Sequence, residues 1–326
     1  MSADNWKQRP EGGGRVAIRL IGGIARHGGR RIARACLYPI TAYFFCVRGS
    51  ERRASRDYLR RVLGRPARAI DVARHIHTFA ATILDRVFLL AGRLSLFDIR
   101  TGGTAQLLEQ LDKGQGVLVF GSHLGSFDAL RALSRQRPDL KLRVLLDRSH
   151  NAAITELLAE LDPALAAGII DAGQDGPTVA LAIQQALQEG AMVSLLVDRL
   201  RPGETAVQVP LLGEPAAFPA TPWLLASVLK APVVLAFGLY RGGNRYDLLF
   251  EPFESVVEIP RAVRAATLSA LIHRYVGRLE HHLRAAPYNW FNFYDFWQSE
   301  DPPRAAPRHG AGPADQPDDT GTGQRH

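Results

Sequence analysis

Short apolar segments alternate with helical segments between Gly116 and Pro252, and this alternation limits the fold more than any other feature of the chain. Strands are predicted over Val117–Phe120, Leu142–Leu146, Val193–Val197, Pro232–Leu239 and Tyr246–Phe250. Helices are predicted between them over Asp128–Gln136, Ala152–Leu161, Gly176–Gln188 and Pro222–Leu229. The pattern predicts an α/β fold, a mainly parallel mixed sheet flanked by helices. In such a sheet, functional residues lie at the carboxyl ends of strands.

The first of these strands ends in a Gly/Ser turn that carries a histidine, within the run VLVFGSHLGSFDAL. Gly121 and Gly125 suit a sharp turn, and Ser126 is the predicted N-cap of the following helix. Asp128 follows His123 by five positions, so its carboxylate can hold one ring nitrogen while the other accepts a proton. The turn therefore predicts a general-base pair of His123 and Asp128. The alternative is structural: Asp128 caps the helix and His123 is half-buried.

Further polar residues are predicted at the same edge of the sheet. Asp198 and Arg199 follow the strand Val193–Val197, and a guanidinium forks well onto phosphate oxygens. We therefore interpret Asp198 and Arg199, together with Gly125 and Ser126 of the histidine turn, as candidate substrate-binding residues. The alternative is an Asp–Arg pair that only closes the end of a strand.

The order of strand, Gly-Ser, His, Leu-Gly, aromatic residue and acid resembles the acyltransferase superfamily that includes glycerol-phosphate and lysophospholipid acyltransferases. More narrowly, it is similar to the lipid A biosynthesis (late) acyltransferases of Gram-negative bacteria. The resemblance covers roughly residues 15–298 and implies that His123 and Asp128 are the catalytic residues. It also implies that Arg148 and Asn151, in the run DRSHN, contact the substrate. The stretch LDPALAAGIIDAG lacks an Arg that the family carries there, which leaves the acceptor open.

Two later runs are candidates for contact with an acyl chain or a membrane. Pro210–Pro219 (PLLGEPAAFP) is similar to a loop of the same family. It either lines the mouth of the site or is a buried crossover loop. Pro287–Trp297 (PYNWFNFYDFW) is dense in aromatic residues, which either lie at a membrane interface or pack in the core.

The N-terminal part of the chain is strongly basic, whereas the rest is not. Residues 1–68 hold sixteen Lys/Arg against four Asp/Glu, and since the whole chain carries +8, the remainder is net negative. Within this part, Ala35–Val47 is apolar but shorter than the about 20 residues that span a bilayer as a helix. It is flanked on both sides by arginines, namely Arg30, Arg31, Arg34, Arg48, Arg52 and Arg53. This arrangement predicts a segment lying in the cytoplasmic leaflet, with a buried core helix as the alternative.

These features predict four parts of the chain. They are a disordered start (1–14), a basic membrane-associating region with helices (15–68), an acyltransferase domain (69–298) and a disordered tail (299–326). Amphipathic helices are predicted over Ser55–Leu63 and His75–Leu90. His75 and His77 at the start of the second helix are interpreted as part of a half-exposed cap region, with a polar pair on the substrate side as the alternative.

Composition and motifs disfavour several other classes of function. Cys36 and Cys46 are too few for a disulfide framework, and no His/Cys cluster has metal-ligand spacing, so no metal is predicted. The chain has no dinucleotide fingerprint and no Walker loop, and no cofactor is predicted. Nucleic acid is not a predicted partner, because the body of the chain is net negative and carries no recognised motif.

Together these residues predict an enzyme that moves a fatty acyl group from an acyl thioester to a hydroxyl or amine of a membrane lipid or glycolipid. The expected donor is an acidic acyl carrier protein, attracted by the basic N-terminus, with acyl-CoA as the alternative. The expected location is the cytoplasmic face of the bacterial inner membrane, at an anionic surface, held peripherally or by a single N-terminal segment. Two alternatives stay open: a lipid or thioester hydrolase that uses the same pair, and a non-catalytic peripheral membrane protein.

Overall fold

The computed structural model describes residues 15–130, 137, 139–149, 152–201 and 203–297. Its strands are β1 Asp98–Gly102, β2 Val117–Gly121, β3 Leu142–Leu146, β4 Ile169–Asp171, β5 Met192–Leu196, β6 Ala206–Leu211, β7 Glu214–Pro219, β8 Val233–Gly242 and β9 Arg245–Glu254. Its helices are α1 Arg15–Val47, α2 Gly49–Leu63, α3 Ala69–Leu90, α4 Thr104–Asp112, α5 Ala152–Leu161, α6 Pro163–Ala167, α7 Gly176–Gln188, α8 Thr221–Leu229 and α9 Arg264–Ala285. A short 3₁₀ turn, Phe127–Leu130, follows β2.

Seven of the described strands form one sheet in the order β1-β9-β8-β2-β5-β3-β4, and β6 and β7 form a separate antiparallel hairpin. Strands β8, β2, β5, β3 and β4 run parallel, β9 is antiparallel to β8, and β1 is parallel to β9. All of β2 is buried, as expected for a central strand covered on both faces. The predicted α/β fold, with a mainly parallel mixed sheet flanked by helices, is confirmed.

The predicted elements of the body match the observed ones closely, with one correction at the histidine turn. Three elements have the predicted bounds, namely β3, α5 and α7, and the other predicted strands differ only at their ends. The helix predicted over Asp128–Gln136 is wrong in its first turn. There the chain forms the 3₁₀ turn, in which the Ala129 N–H donates to the Ser126 carbonyl at 3.2 Å. Residues 131–136 lie outside the described residues.

The run Pro210–Pro219 is a hairpin rather than a loop. It comprises the end of β6, a tight turn and β7. The turn residues Leu212 and Gly213 have φ angles of +53° and +87°, a region that favours glycine. Leu211 and Phe218 are buried in the main core, which favours the buried alternative, and contact of this run with an acyl chain stays a prediction.

α1 is a bent helix that lies along α3. It bends at Gly29, whose φ of +68° and ψ of 175° are not helical, and then continues through Pro39. In the part of the chain that the structure describes, no helix is both long and apolar enough to cross a membrane.

α1 and α2 share the hydrophobic core with the rest of the chain. Leu37 of α1 is buried in a cluster with Leu84 of α3, and Tyr58 and Leu59 of α2 are buried in the main core. α1 and α2 therefore pack on the same core as the domain predicted over residues 69–298, and the division of the chain at residue 68 stays a prediction.

Candidate active site

The candidate active site lies where β2 and β5 end side by side at the carboxyl edge of the sheet. The register pairs Gly121 of β2 with Leu196 of β5, so His123 and Asp198 leave the sheet next to each other. Asp198 is fully buried, and its Oδ1 lies 2.7 Å from His123 Nδ1. The peptide N–H of His123 donates to both carboxylate oxygens, at 3.1 and 3.0 Å.

The contact with Asp198 decides which ring nitrogen of His123 carries the proton. An ionised carboxylate only accepts hydrogen bonds, so we assign the proton to Nδ1 and the lone pair to Nε2. Nε2 has no hydrogen-bond partner among the described residues, and the His123 side chain is 22% exposed. A histidine in this state can take a proton from a substrate that enters the site.

Asp198 is a buried carboxylate that stays ionised. Trp290 Nε1 and Asn292 Nδ2 donate to its Oδ2 at 3.0 and 3.2 Å. Burial raises the pKa of this carboxyl group, but the charge and hydrogen bonds of His123 and the charge of Arg199 outweigh burial and hold the pKa below its usual range. The negative charge is therefore available to stabilise an imidazolium at His123.

Asp128, the predicted partner of His123, forms an ion pair with Arg86 of α3 instead. Arg86 Nε lies 2.6 Å from Asp128 Oδ2, and both side chains are partly buried. The predicted contact between Asp128 and His123 is therefore wrong. The 3₁₀ turn carries Asp128 to α3, whereas the parallel pairing of β2 with β5 brings Asp198 to the ring. A catalytic contribution of Asp128 stays a prediction.

Gly125 and Ser126 close the histidine turn through their backbone. Gly125 has a φ of +75°, and a Cβ there would lie 2.0 Å from the Gly238 carbonyl oxygen, so only glycine fits. The Gly125 N–H donates to the Asn289 carbonyl at 2.8 Å, and the Ser126 N–H donates to the Gly238 carbonyl at 2.7 Å. The Ser126 hydroxyl is buried without a partner among the described residues, so the predicted N-cap bond is absent. Contact of either residue with substrate stays a prediction.

The other predicted substrate contacts are distributed along the same edge. Arg199 donates from Nε to Asn292 Oδ1 at 2.7 Å and from Nη2 to the Phe291 carbonyl at 3.1 Å, so it holds the C-terminal segment against the site. Arg148 follows β3, the neighbour of β5, and is exposed. Asn151 lies outside the described residues. Substrate binding by these residues stays a prediction.

Sequence reasoning does not identify three contact residues of the site, which are Trp290, Asn292 and Arg86. Trp290 and Asn292 belong to the aromatic run Pro287–Trp297, where two asparagines stand among aromatic residues. Polar side chains inside such an apolar run signal buried hydrogen bonds. Trp290 is fully buried, which favours core packing over a membrane-interface role for this part of the run. Arg86 carries no comparable signal, since it is one arginine among many.

Two histidines of α3 contact other protein groups. His75 is fully buried between Ser55 and the Trp290 carbonyl, so the half-exposed cap position predicted for it is wrong. His77 contacts Thr41 through Nδ1. Within the described ranges, no group of three or more His, Cys, Asp or Glu residues could hold a metal ion.

The fold and the site define a class of protein: an α/β protein with a histidine–aspartate pair at the carboxyl edge of a parallel sheet. Residues 27–299 match the family model of the bacterial lipid A biosynthesis acyltransferases. The chain therefore belongs to this family, as the sequence resemblance predicts. Members of the family are acyltransferases, and the protein is accordingly an enzyme that transfers an acyl group to a lipid acceptor. Comparison with curated proteins gives no match to this chain.

Proposed function

We propose that the protein transfers a fatty acyl group from an acyl thioester to a hydroxyl or amine of a membrane lipid or glycolipid, with His123 as general base and Asp198 as its orienting partner. The observation that carries the proposal is the 2.7 Å contact between His123 Nδ1 and Asp198 Oδ1, which leaves Nε2 with its lone pair. A positioned general base contributes about 10²–10⁴-fold to the rate.

The reaction needs no covalent enzyme intermediate. The hydroxyl oxygen or amine nitrogen of the acceptor attacks the thioester carbonyl carbon, and His123 Nε2 takes the proton from this acceptor atom. The tetrahedral intermediate then collapses, the carbon–sulfur bond breaks, and the leaving thiolate takes the proton back from His123. Asp198 stays ionised throughout and stabilises the imidazolium between these two steps.

Asp128 contributes through Arg86 in this proposal. Only Nε of Arg86 has a partner among the described residues, namely Asp128, so its two Nη groups are available to an anion. A guanidinium placed near the histidine turn suits a developing oxyanion or a substrate phosphate. Asp128 then holds Arg86 in place, in keeping with a catalytic contribution that the sequence resemblance implies.

The exposed arginines of α2 support an acidic acyl carrier protein as donor. Arg53, Arg56 and Arg60 are exposed along this helix, and a basic surface speeds the approach of an acidic partner in a salt-dependent manner. Acyl-CoA is the alternative donor. A KM for acyl carrier protein that rises with salt, and rises further when these arginines are replaced by Gln, supports the carrier protein. A KM for acyl carrier protein that changes neither with salt nor with these substitutions favours acyl-CoA as donor.

The outward face of α1 supports association with the cytoplasmic face of the bacterial inner membrane. Ile32, Tyr38, Tyr43 and Val47 are large, apolar and exposed on this helix. The neighbouring Arg48 is exposed as well. An apolar helix face beside basic residues suits insertion among the headgroups of an anionic bilayer.

The decisive experiment compares His123→Ala with His273→Ala, a matched change at an exposed histidine of α9. With acyl carrier protein thioester as donor and a bacterial lipid extract as acceptor, His123→Ala should lose about 10²–10⁴-fold in turnover while circular dichroism still shows a folded protein. His273→Ala should keep full activity. Wild-type turnover in His123→Ala contradicts the proposal. Rapid release of fatty acid by the wild-type enzyme without any acceptor indicates a hydrolase, and mass spectrometry of the acylated lipid identifies the acceptor.

A further inference from the structure

The C-terminal segment Tyr288–Trp297, here called the strap, is hydrogen-bonded directly to the histidine turn. The Phe291 N–H donates to the His123 carbonyl at 2.8 Å, and the Gly125 N–H donates to the Asn289 carbonyl at 2.8 Å. Leu124 and Trp290 form an antiparallel bridge between these two contacts. The strap therefore determines where the backbone of the catalytic turn lies.

The same strap supplies both side-chain donors to the second oxygen of Asp198. Oδ1 faces the His123 ring, whereas Oδ2 receives the indole N–H of Trp290 at 3.0 Å and the amide N–H of Asn292 at 3.2 Å. Asn292 is itself held by Arg199, whose Nε donates to its Oδ1 at 2.7 Å. A carboxylate fixed at both oxygens cannot rotate away from the imidazole.

We propose that Trp290 and Asn292 are positioning residues of the His123–Asp198 pair, so that the catalytic pair is complete only when the strap is docked. The proposal rests on the proposed function of His123 as general base. Its structural basis is that the histidine turn and the strap both donate hydrogen bonds to the one buried carboxylate that follows β5. A buried carboxylate that loses a hydrogen-bond donor keeps the full cost of desolvation. Each donor therefore affects both the orientation of the Asp198 carboxylate and the stability of its charge.

His75 of α3 anchors the strap from its other side. Its Nε2 lies 2.8 Å from the Trp290 carbonyl, and its Nδ1 lies 2.8 Å from Ser55 Oγ. Since a carbonyl only accepts, Nε2 carries the proton and Ser55 donates to Nδ1. Burial lowers the pKa of His75 to about 4, so this histidine is neutral near pH 7 and acts as a fixed link from α2 through α3 to Trp290.

Several other charged or titratable groups lie around the pair among the described residues. They come from α3, the 3₁₀ turn, β5, α9 and the strap, and they are His75, Arg86, Asp128, Arg199, Tyr275 and Tyr294. Burial raises the pKa of both Tyr275 and Tyr294, and their proximity to Asp198 raises it further. Both phenols therefore stay neutral in the range where the enzyme would be assayed.

The test replaces Trp290 by Phe and uses Trp297→Phe as matched control. Both tryptophans lie on the strap and each donates one indole N–H, but Trp297 donates to the Leu211 carbonyl at 3.2 Å and not to Asp198. Trp290→Phe should lower kcat about 10-fold with little change in KM, since a hydrogen bond to a charged group is lost. Trp297→Phe should stay within about 2-fold of wild type, because its carbonyl partner is not part of the pair.

The pH profile separates positioning from simple structural support. Without the indole N–H, hydrogen bonding offsets less of the negative charge of Asp198. The carboxylate then stabilises the imidazolium of His123 more strongly. The acid limb of kcat/KM should therefore move to higher pH in Trp290→Phe and not in Trp297→Phe. Asn292→Ser is a smaller change at the second donor and should shift the acid limb of kcat/KM in the same direction. This variant tests the proposal if Trp290→Phe folds poorly.

A measurement without substrate distinguishes this proposal from the proposed function. The ring signals of His123, assigned by comparison with His123→Gln, can be titrated by NMR in the enzyme alone. The titration curve should move to higher pH in Trp290→Phe and Asn292→Ser. Identical curves and identical pH profiles in Trp290→Phe and Trp297→Phe overturn the proposal. A shifted NMR curve in an enzyme whose turnover does not depend on His123 supports positioning but refutes the proposed base.

Discussion

At the scale of single residues, the two aspartates near His123 have different partners, and substitutions separate their roles. Asp198→Asn keeps the volume of the side chain but removes the charge that holds the Nδ1 proton of His123. We expect kcat to fall about 10²–10⁴-fold, with a smaller effect on KM, measured as thiol release from an acyl thioester. An equal loss in Asp128→Asn would argue against Asp198 as the partner of the ring.

A double-mutant cycle tests whether Asp128 acts through Arg86. We expect Asp128→Asn and Arg86→Gln each to lower kcat/KM by about 10-fold, and the double variant to be no worse than either, because both remove the same contact. The control is Arg86→Gln combined with Asp198→Asn, whose effects should multiply. Multiplying effects in the Asp128 and Arg86 pair would show that these residues act independently.

The sequence singles out His123 as a candidate base but does not predict its contact with Asp198. The apolar strand, the glycines and the histidine are neighbours in the chain, so the local pattern reveals them together. Asp198 lies 75 positions away from His123, and only the order β2-β5 within the sheet brings it to the ring. Asp128 is closer in sequence, yet the 3₁₀ turn places its carboxylate next to Arg86. Local spacing cannot predict this contact.

His75 makes the pH dependence of stability testable. Its pKa is lowered by burial to about 4 in the folded protein, below the value of about 6.5 in an unfolded chain. The stability that this group contributes is therefore complete above about pH 6.5 and is lost as the pH falls through about 4, by on the order of 3 kcal/mol. His75→Gln can keep a donor to the Trp290 carbonyl but does not titrate. Urea unfolding from pH 7 to 4.5 should show a smaller loss in this variant, and parallel losses would contradict the assignment.

At the scale of elements, α1 is fixed to the body of the protein by a buried carboxylate. Asp85 of α3 is fully buried, and Arg30 of α1 reaches both its oxygens at 2.8 Å. Tyr246 of β9 donates to the same carboxylate at 2.9 Å. Two of the arginines that precede the apolar run of α1, Arg30 and Arg34, thus face the protein rather than a membrane.

Substitution of Arg30 should destabilise the fold, whereas substitution of its neighbour should not. Arg30→Gln leaves the buried charge of Asp85 without its closest partner, and we expect a loss of about 3 kcal/mol in the free energy of unfolding. Arg31→Gln, an exposed site on the same helix, should change stability by less than about 0.5 kcal/mol. Adding Asp85→Asn to Arg30→Gln should recover part of the loss. Equal stability of the two single variants in urea unfolding would refute the role of this pair.

The strands that the sequence predicts best are the short apolar ones of the parallel part of the sheet. β2, β3 and β5 are nearly continuous apolar runs bounded by turn residues, and their bounds follow from that pattern. β1 and the β6–β7 hairpin are short and rich in polar or proline residues, so their sequences read as loops. α9 is not among the predicted elements, although its apolar residues stand at helical spacing, such as Leu268, Leu271, Ile272 and Tyr275; this periodicity is the signal that could have predicted it.

At the scale of the whole molecule, α3 connects the proposed membrane surface to the active site. One side of α3 packs against α1, whose outward face carries the exposed apolar residues. Through other side chains α3 reaches the catalytic region, with His75 on the strap and Arg86 on the histidine turn. A bilayer that binds α1 would therefore lie one helix away from His123, the proposed general base, a distance suited to an acceptor that stays in the membrane.

This arrangement predicts that apolar contacts of α1, and not surface hydrophobicity in general, bring the enzyme to its lipid. Tyr43 and Val47 are 59% and 57% exposed on α1. Replacing both by Glu should lower binding to vesicles that contain anionic phosphatidylglycerol about 10-fold or more. The reason is that the apolar burial is lost and the new carboxylates are repelled by the anionic headgroups. The matched control replaces Leu181 and Val228 by Glu; these residues are 65% and 77% exposed on α7 and α8. This variant should bind the vesicles as tightly as the wild type does. Turnover of a soluble acyl thioester with a short soluble alcohol should be equal in all three proteins, which shows that the catalytic pair is intact. If the two double variants bind vesicles equally in co-sedimentation, α1 is not the membrane-facing element.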